Sequence, residues 1–148
     1  GEFVYDHPHL WGSKRTGPDL QREGSKKLRR PDSWHFTHFL KPAEFIPGSI
    51  MPSYAFFIED DLDLSKLKRK ITVLRSIGVP YEEGFEEDAE RLAKLQANGI
   101  ANNIISDLYK VKGDKKDKLV ESLSKKEVVA IIAYLQRLGT DIEIEDKN

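Results

Sequence analysis

The sequence predicts an all-α fold. Two observations carry that expectation: apolar residues recur at steps of three and four over long stretches, and capping residues, glycines and prolines punctuate those stretches as helix starts and stops. Almost nothing is left over for strand.

The elements follow in order. After a loop-rich opening, Asp32 or Ser33 can cap a short helix through Trp34, His35, Phe36, Phe39 and Leu40, which Pro42 stops. Leu64, Leu67, Ile71, Leu74 and Ile77 then trace one amphipathic helix, closed by Gly78 and Pro80. Phe85, Ala89, Leu92, Ala93 and Leu95 predict a helix over 85–98 ending at Gly99, and residues 100–109 predict a third, ending before Gly113. Residues 113–118 are expected to form a charged turn or linker. Ser124-Lys125-Lys126-Glu127 has the capping-box pattern, in which a serine hydroxyl and a glutamate carboxylate satisfy free amide donors at a helix start. Val128, Val129, Ile131, Ile132, Tyr134, Leu135 and Leu138 follow, with Gly139 as the stop. That helix is apolar on more than one face and is expected in the middle of the fold. The acidic residues 141–148 are expected to fray.

Composition narrows the function classes. The chain has 148 residues, enough for one domain with a real core, and is 39% hydrophobic and 33% charged, which suits a globular protein. Its 24 Lys plus Arg against 25 Asp plus Glu give no global reason to expect a nucleic-acid or anionic-membrane partner. The absence of cysteine excludes disulfides, thiol nucleophiles, cysteine-ligated zinc, iron–sulfur clusters and C-x-x-C-H haem attachment within this stretch. No apolar run approaches the roughly 20 residues needed to cross a bilayer, and the opening is neither a signal nor a transit peptide, so the chain is expected to be soluble. It starts without Met inside an aromatic, proline-punctuated segment, as an excised domain would.

Special chemistry is concentrated at one end. Residues 1–58 hold all four histidines and both tryptophans, and residues beyond them are charged and helix-forming. The first part is the expected site and the second the scaffold. His7, His9, His35 and His38 could supply imidazoles to a metal if brought together, although packing or capping roles are the stronger expectation at such short spacings. Lys14, Arg15, Arg22, Lys26, Lys27, Arg29 and Arg30 outnumber Asp19 and Glu23 in a local basic patch, either a solvated loop or a surface that steers an acidic electron-transfer partner. Aromatics do not interleave with these charges at base-stacking spacing, which argues against single-stranded nucleic acid. There is no Gly-rich phosphate loop, nucleophile elbow or convincing carboxylate pair, so a hydrolase or transferase is the least favoured class.

Met51 is the one methionine and lies in Pro47-Gly48-Ser49-Ile50-Met51-Pro52-Ser53-Tyr54. Prolines on both sides restrict the backbone and hold the thioether in a defined place. A lone methionine is ordinarily core filler. Clamped between prolines and followed by an apolar helix, it also matches how small c-type cytochromes present an axial sulfur to haem iron. Gly17-Pro18-Asp19-Leu20 is a turn by itself; beside the Met loop it matches the Gly-Pro-x-Leu segment whose proline carbonyl holds the proximal histidine in such proteins.

These features converge on one family. The run from Val4 to Leu20, with Trp11, Gly12, Arg15 and Gly17-Pro18, then Asp32-Ser33-Trp34-His35 with His38, Pro42 and Pro47, and Met51-Pro52-Ser53-Tyr54, resembles the mono-haem cytochrome c subunit of cbb3-type cytochrome c oxidases. Residues 74–81 and 133–139 continue the likeness in order.

The resemblance implies a class I cytochrome c-like helical domain on the periplasmic side of the bacterial inner membrane, tethered by an N-terminal membrane anchor. It implies electron relay to the haem–copper subunit that reduces oxygen, with the di-haem cytochrome c subunit as another partner and no nucleic acid. By position, Met51 would be the distal ligand to haem iron and Pro18 the support of the proximal histidine, with Trp11, Arg15, Trp34 and Tyr54 as pocket or propionate contacts. The family's C-x-x-C-H lies upstream of the Val4–Leu20 run, so the full-length protein is expected to carry haem c and this stretch to hold none covalently. One domain is expected over 1–148: haem-site loops and a short helix in 1–58, a helical insertion or scaffold over 63–112, and a core helix at 124–139. Residues 82–126 are longer and more charged than the likeness leads one to expect and are expected to form an inserted helical segment before the last helix. Without haem, residues 1–58 are expected to be loosely packed or rearranged, with an open or collapsed pocket near Met51, and the helices after residue 63 to be able to pack on their own. The alternative, from another class, is a haem-free helical interaction or assembly module of the same complex.

Overall fold

The structure, a computed structural model, describes Gly17 and residues 20–140. The described residues are all-α. Seven helices follow one another among them: α1 (Asp32–Leu40), α2 (Pro42–Phe45), α3 (Phe56–Glu59), α4 (Leu67–Ser76), α5 (Phe85–Leu108), α6 (Asp114–Ser124) and α7 (Glu127–Arg137). The one β-type pairing among them is an isolated antiparallel bridge between Asp61 and Lys126. The chain forms two compact units, Pro31–Tyr134 and a smaller one made from Gly1–Arg30 with Leu135–Asn148.

In the larger unit, α5 is the hub, packing against α1, α4 and α6. Its inward stripe of Ala97, Ile100, Ala101, Ile104 and Ile105 meets Phe36 of α1, Leu123 of α6 and Val128, Val129 and Ile132 of α7 in one buried cluster. Ile104, Val128 and Ile132 are fully buried. Burying each such side chain contributes about 1.5–3 kcal/mol, which is why the last helix takes the middle of the fold as its sequence predicts.

Four local expectations are corrected. Gly99 does not end a helix; α5 runs through it for 24 residues. A helical glycine costs about 1 kcal/mol relative to alanine, less than the burial of the Ile100, Ile104 and Ile105 stripe returns. Residues 114–118 are not linker but the first turns of α6, where Asp114 and Asp117 sit at the positive end of the helix dipole. Ser124 does not cap α7, because it closes α6 and its hydroxyl donates to the Glu121 carbonyl at 3.0 Å. The start of α7 is instead tied to the segment after α3: the Glu127 N–H donates to Asp60 O at 3.1 Å and the Leu62 N–H to Lys125 O at 2.7 Å. Lys126 Nζ adds hydrogen bonds to Glu59 O and Asp61 Oδ1.

The fourth correction concerns α1. Pro31 takes the N-cap position, with the Trp34 and His35 N–H groups donating to its carbonyl. That frees the expected caps for other work: Asp32 accepts a 2.8 Å hydrogen bond from Asn103 Nδ2, and Ser33 Oγ donates to Asp107 Oδ2 at 2.8 Å. With Phe36 6% exposed and in the buried cluster, α1 is packed firmly on α5 rather than loosely held.

The smaller unit is built on close approach. Gly24 is buried, its N–H donates to Leu138 O at 2.9 Å, and a Cβ there would lie 2.2 Å from Gln136 O. Gln136 Nε2 donates to Arg30 O at 2.7 Å, closing the same contact from the other side.

Candidate functional site

Met51 lies on an excursion that leaves α1 and returns to it. Lys41, with φ −144° and ψ 67°, breaks the helix before Pro42, as steric pressure from a following proline demands. The Ser49 N–H donates to Ile46 O at 2.9 Å across Pro47-Gly48, and Gly48 has φ 83°. Proline second and a left-handed glycine third are what a type II turn requires. The Met51 N–H then donates to Ser49 Oγ at 3.2 Å. At the far end, the Tyr54 N–H donates to Phe39 O and Ser53 Oγ to Leu40 O, each at 2.8 Å. These acceptors are carbonyls of the last turn of α1, which have no partner within the helix. The loop therefore closes on the end of α1 through backbone groups.

Its side chains are poorly covered. Met51 is half-buried, while Phe45, Ile46, Ile50 and Phe56 are 40%, 56%, 80% and 48% exposed. An apolar lip thus surrounds, in sequence, the one thioether of the chain. Sequence reasoning missed these four residues because they follow no helical or strand period; their signal is an apolar content too high for a proline-glycine turn.

The other expected site residues are distributed as follows. Trp34 is half-buried and stacks on His38, with ring centroids 4.4 Å apart and planes 12° from parallel, and it meets His35 and Phe45 edge-on. Tyr54 stacks on Phe57 at 5.8 Å and packs against Phe39 and Phe56. The two rings thus belong to aromatic groups on either side of α1 residues 38 and 39. Trp11, Arg15 and Pro18 lie outside the described residues, as do His7, His9 and Lys14. Of the basic patch, Lys26, Lys27 and Arg29 are exposed, and Arg30 Nε approaches Glu23 Oε1 at 3.9 Å. His35 is buried at 4% and packs as core. Among the described residues no group of three or more His, Asp or Glu side chains is arranged to hold a metal ion.

Two clefts open elsewhere on the larger unit. One of about 560 Å³ is lined by Leu62, Leu64 and Ala97 and crossed by the Glu90–Lys94 ion pair, and one of about 310 Å³ lies over Lys118, Glu121 and Lys126. Neither is lined by Met51, Trp34 or Tyr54.

With this geometry in place, the comparisons with known proteins become informative. The family model described as "Cytochrome C oxidase, mono-heme subunit/FixO" matches residues 1–142. The chain belongs to this family. The family's description is that of a mono-haem subunit of cytochrome c oxidase. This FixO-family sequence has no cysteine, so it offers no thioether attachment point of its own. It is also 31% identical over 105 residues to the uncharacterized protein MJ1183 of Methanocaldococcus jannaschii, a match covering 70% of this chain. That match spans 60% of the archaeal protein's length. Among the described residues no helix is long and apolar enough to cross a membrane.

Proposed function

We propose that this chain is the distal half of a haem site in an electron-relay domain. The domain would face the periplasm and pass electrons to the haem–copper subunit that reduces oxygen, with the di-haem cytochrome c subunit as a further partner. One observation carries the reading: four apolar side chains stay in solvent within the same short segment that fixes the chain's single thioether. Exposing that much apolar surface on an ordered loop is unfavourable unless something covers it.

The donor set fits the group. A methionine sulfur is a soft ligand for haem iron, and a Met/His pair raises the potential. Haem, when bound, supplies one-electron transfer at iron. The residues of this chain bind and orient. Pro47, Gly48 and Pro52 fix the loop path, and the Ser49 hydroxyl holds the backbone of Met51. Phe45, Ile46, Ile50 and Phe56 would be covered by the bound group and keep water from the sulfur side, and Trp34 and Tyr54 pack the loop's ends against α1. Pro18 would hold the proximal histidine, and Trp11 and Arg15 would meet the ring edge and its propionates.

The test is spectroscopic. Expressed as the full-length protein in a host that matures c-type cytochromes, the wild type should show a c-type spectrum with a Met-ligand signature, and Met51→Ala should lose that signature and shift to lower potential. An unchanged Met51→Ala spectrum would remove Met51 from the iron. Failure to incorporate any haem would assign the chain to a haem-free helical interaction module instead.

A further inference from the structure

We propose that the outward face of α4 is a peripheral docking surface for an anionic lipid bilayer. Helix α4 has two distinct faces. Leu67, Ile71 and Arg75 recur at intervals of four and turn towards α5: Ile71 is 4% exposed, and the Arg75 guanidinium makes a bidentate pair with the Glu86 carboxylate at 2.6 and 2.5 Å. Lys68 on the same side is engaged by Glu87. Beside that face Lys66, Lys70, Val73 and Ile77 fall at i, i+4, i+7 and i+11, one continuous stripe from the N-cap to the C-cap, with Arg69 at its outer edge.

The composition of that stripe is unusual for a solvated face. Val73 and Ile77 are 51% and 72% exposed. Helix α4 contains no acidic residue, and among the described residues Lys66, Arg69 and Lys70 make no ion pair. On α5, by contrast, outward charges neutralise one another in place, Asp88 with Arg91 and Glu90 with Lys94. Asp63, whose carboxylate accepts the Ser65 N–H, lies in the field of Lys66 and Lys70. Three cations outside any ion pair among the described residues leave a local excess of positive charge on a chain whose net charge is −1.

Size chooses the occupant. A ten-residue helix is about 15 Å long and presents a face about 10 Å wide, whereas a stable protein interface takes about 800 Å² from each partner. A bilayer asks for no such area and no matched shape. Cations settle at the headgroups and aliphatic side chains enter the boundary beneath, each adding its own increment. Lys66, Arg69 and Lys70 at one end of the stripe and Val73 and Ile77 at the other supply both. The assignment rests on α4 alone and stands or falls independently of the haem site.

The experiment is co-sedimentation of the 148-residue chain with vesicles at low ionic strength. Vesicles in which about a quarter of the lipid is phosphatidylglycerol should carry the protein down, and pure phosphatidylcholine vesicles should not. The triple variant Lys66→Gln, Arg69→Gln, Lys70→Gln should weaken binding roughly a hundredfold. Val73→Ser with Ile77→Ser should weaken it about tenfold or more. All five positions are exposed, so far-UV circular dichroism and Tm should stay at the wild-type values. Equal binding to both vesicle types, or an apolar double variant that binds as well as wild type, would overturn the proposal. So would retention on immobilised polyglutamate with no vesicle binding, which would give the face to an acidic protein. Arg91→Gln with Lys94→Gln on α5 is the control; if it weakens vesicle binding as much as the α4 triple variant, the attraction is not a property of α4.

Discussion

The Met51 loop and the α5–α7 core are built from the same apolar residue types, and they hold their shapes by opposite means. In the core, Ile104 and Ile132 vanish from solvent because a 3.6-residue period puts them on faces that meet. In the loop, Ile46 and Ile50 remain outside, and order comes from a type II turn, a serine hydroxyl and two hydrogen bonds to the end of α1. A segment ordered by its backbone leaves its side chains free for another molecule. The core has spent its side chains on itself.

The sharpest way to break this contrast is a pair of isoleucines. Ile132→Ala should cost about 2–5 kcal/mol in urea denaturation, through lost burial and the cavity it leaves. Ile50→Ala should lie within about 0.5 kcal/mol of wild type. Equal losses would mean that the loop side chains carry stability after all. Two open glycines test the backbone half of the contrast. Gly48 and Gly99 both have free space where a Cβ would go, but Gly48 sits at φ 83° and Gly99 in ordinary helix. Gly48→Ala should therefore destabilise by about 1–2 kcal/mol, and Gly99→Ala should stabilise by up to about 1 kcal/mol.

The smallest expected effect concerns the α4–α5 ion pair. The hydrogen bonds from Arg75 hold the Glu86 carboxyl below its ordinary value of 4.5. A carboxyl whose pKa is lowered on folding stabilises above its unfolded value, and that contribution is lost as pH falls through the folded value. Arg75→Gln should thus melt slightly below wild type at neutral pH, and the gap should close on acidification below the ordinary glutamate range. A gap that persists in acid would assign Arg75 to packing rather than charge.

Helices with an unambiguous period were legible in the sequence: Ile71 and the stop at Gly78 for α4, Val128 and Ile132 for α7. What failed were local signals outvoted by distant contacts. Gly99 reads as a stop only if α5 is considered without α1, α6 and α7. Ser124 reads as a cap only if the helix before it is unseen, and charged residues 114–118 read as linker because α6 shows its apolar stripe, Leu119, Val120 and Leu123, only further on. At the site, proline and glycine spelled out the turn around Met51. The exposed lip was illegible because burial, not residue type, distinguishes Ile50 from Ile132.

The pairing of Leu62 with Lys125 has a consequence for the chain's modular history. Residues 63–124 leave and re-enter at a single point, so in principle a short join from Leu62 to Lys125 would excise them without stretching what remains. Yet that excursion delivers Ala97, Ile100, Ile104 and Leu123 to the central cluster. It has the doorway of a detachable part and the contents of a foundation, and cutting it out would leave a chain that connects but keeps only Phe36, Val128, Val129 and Ile132 of that cluster.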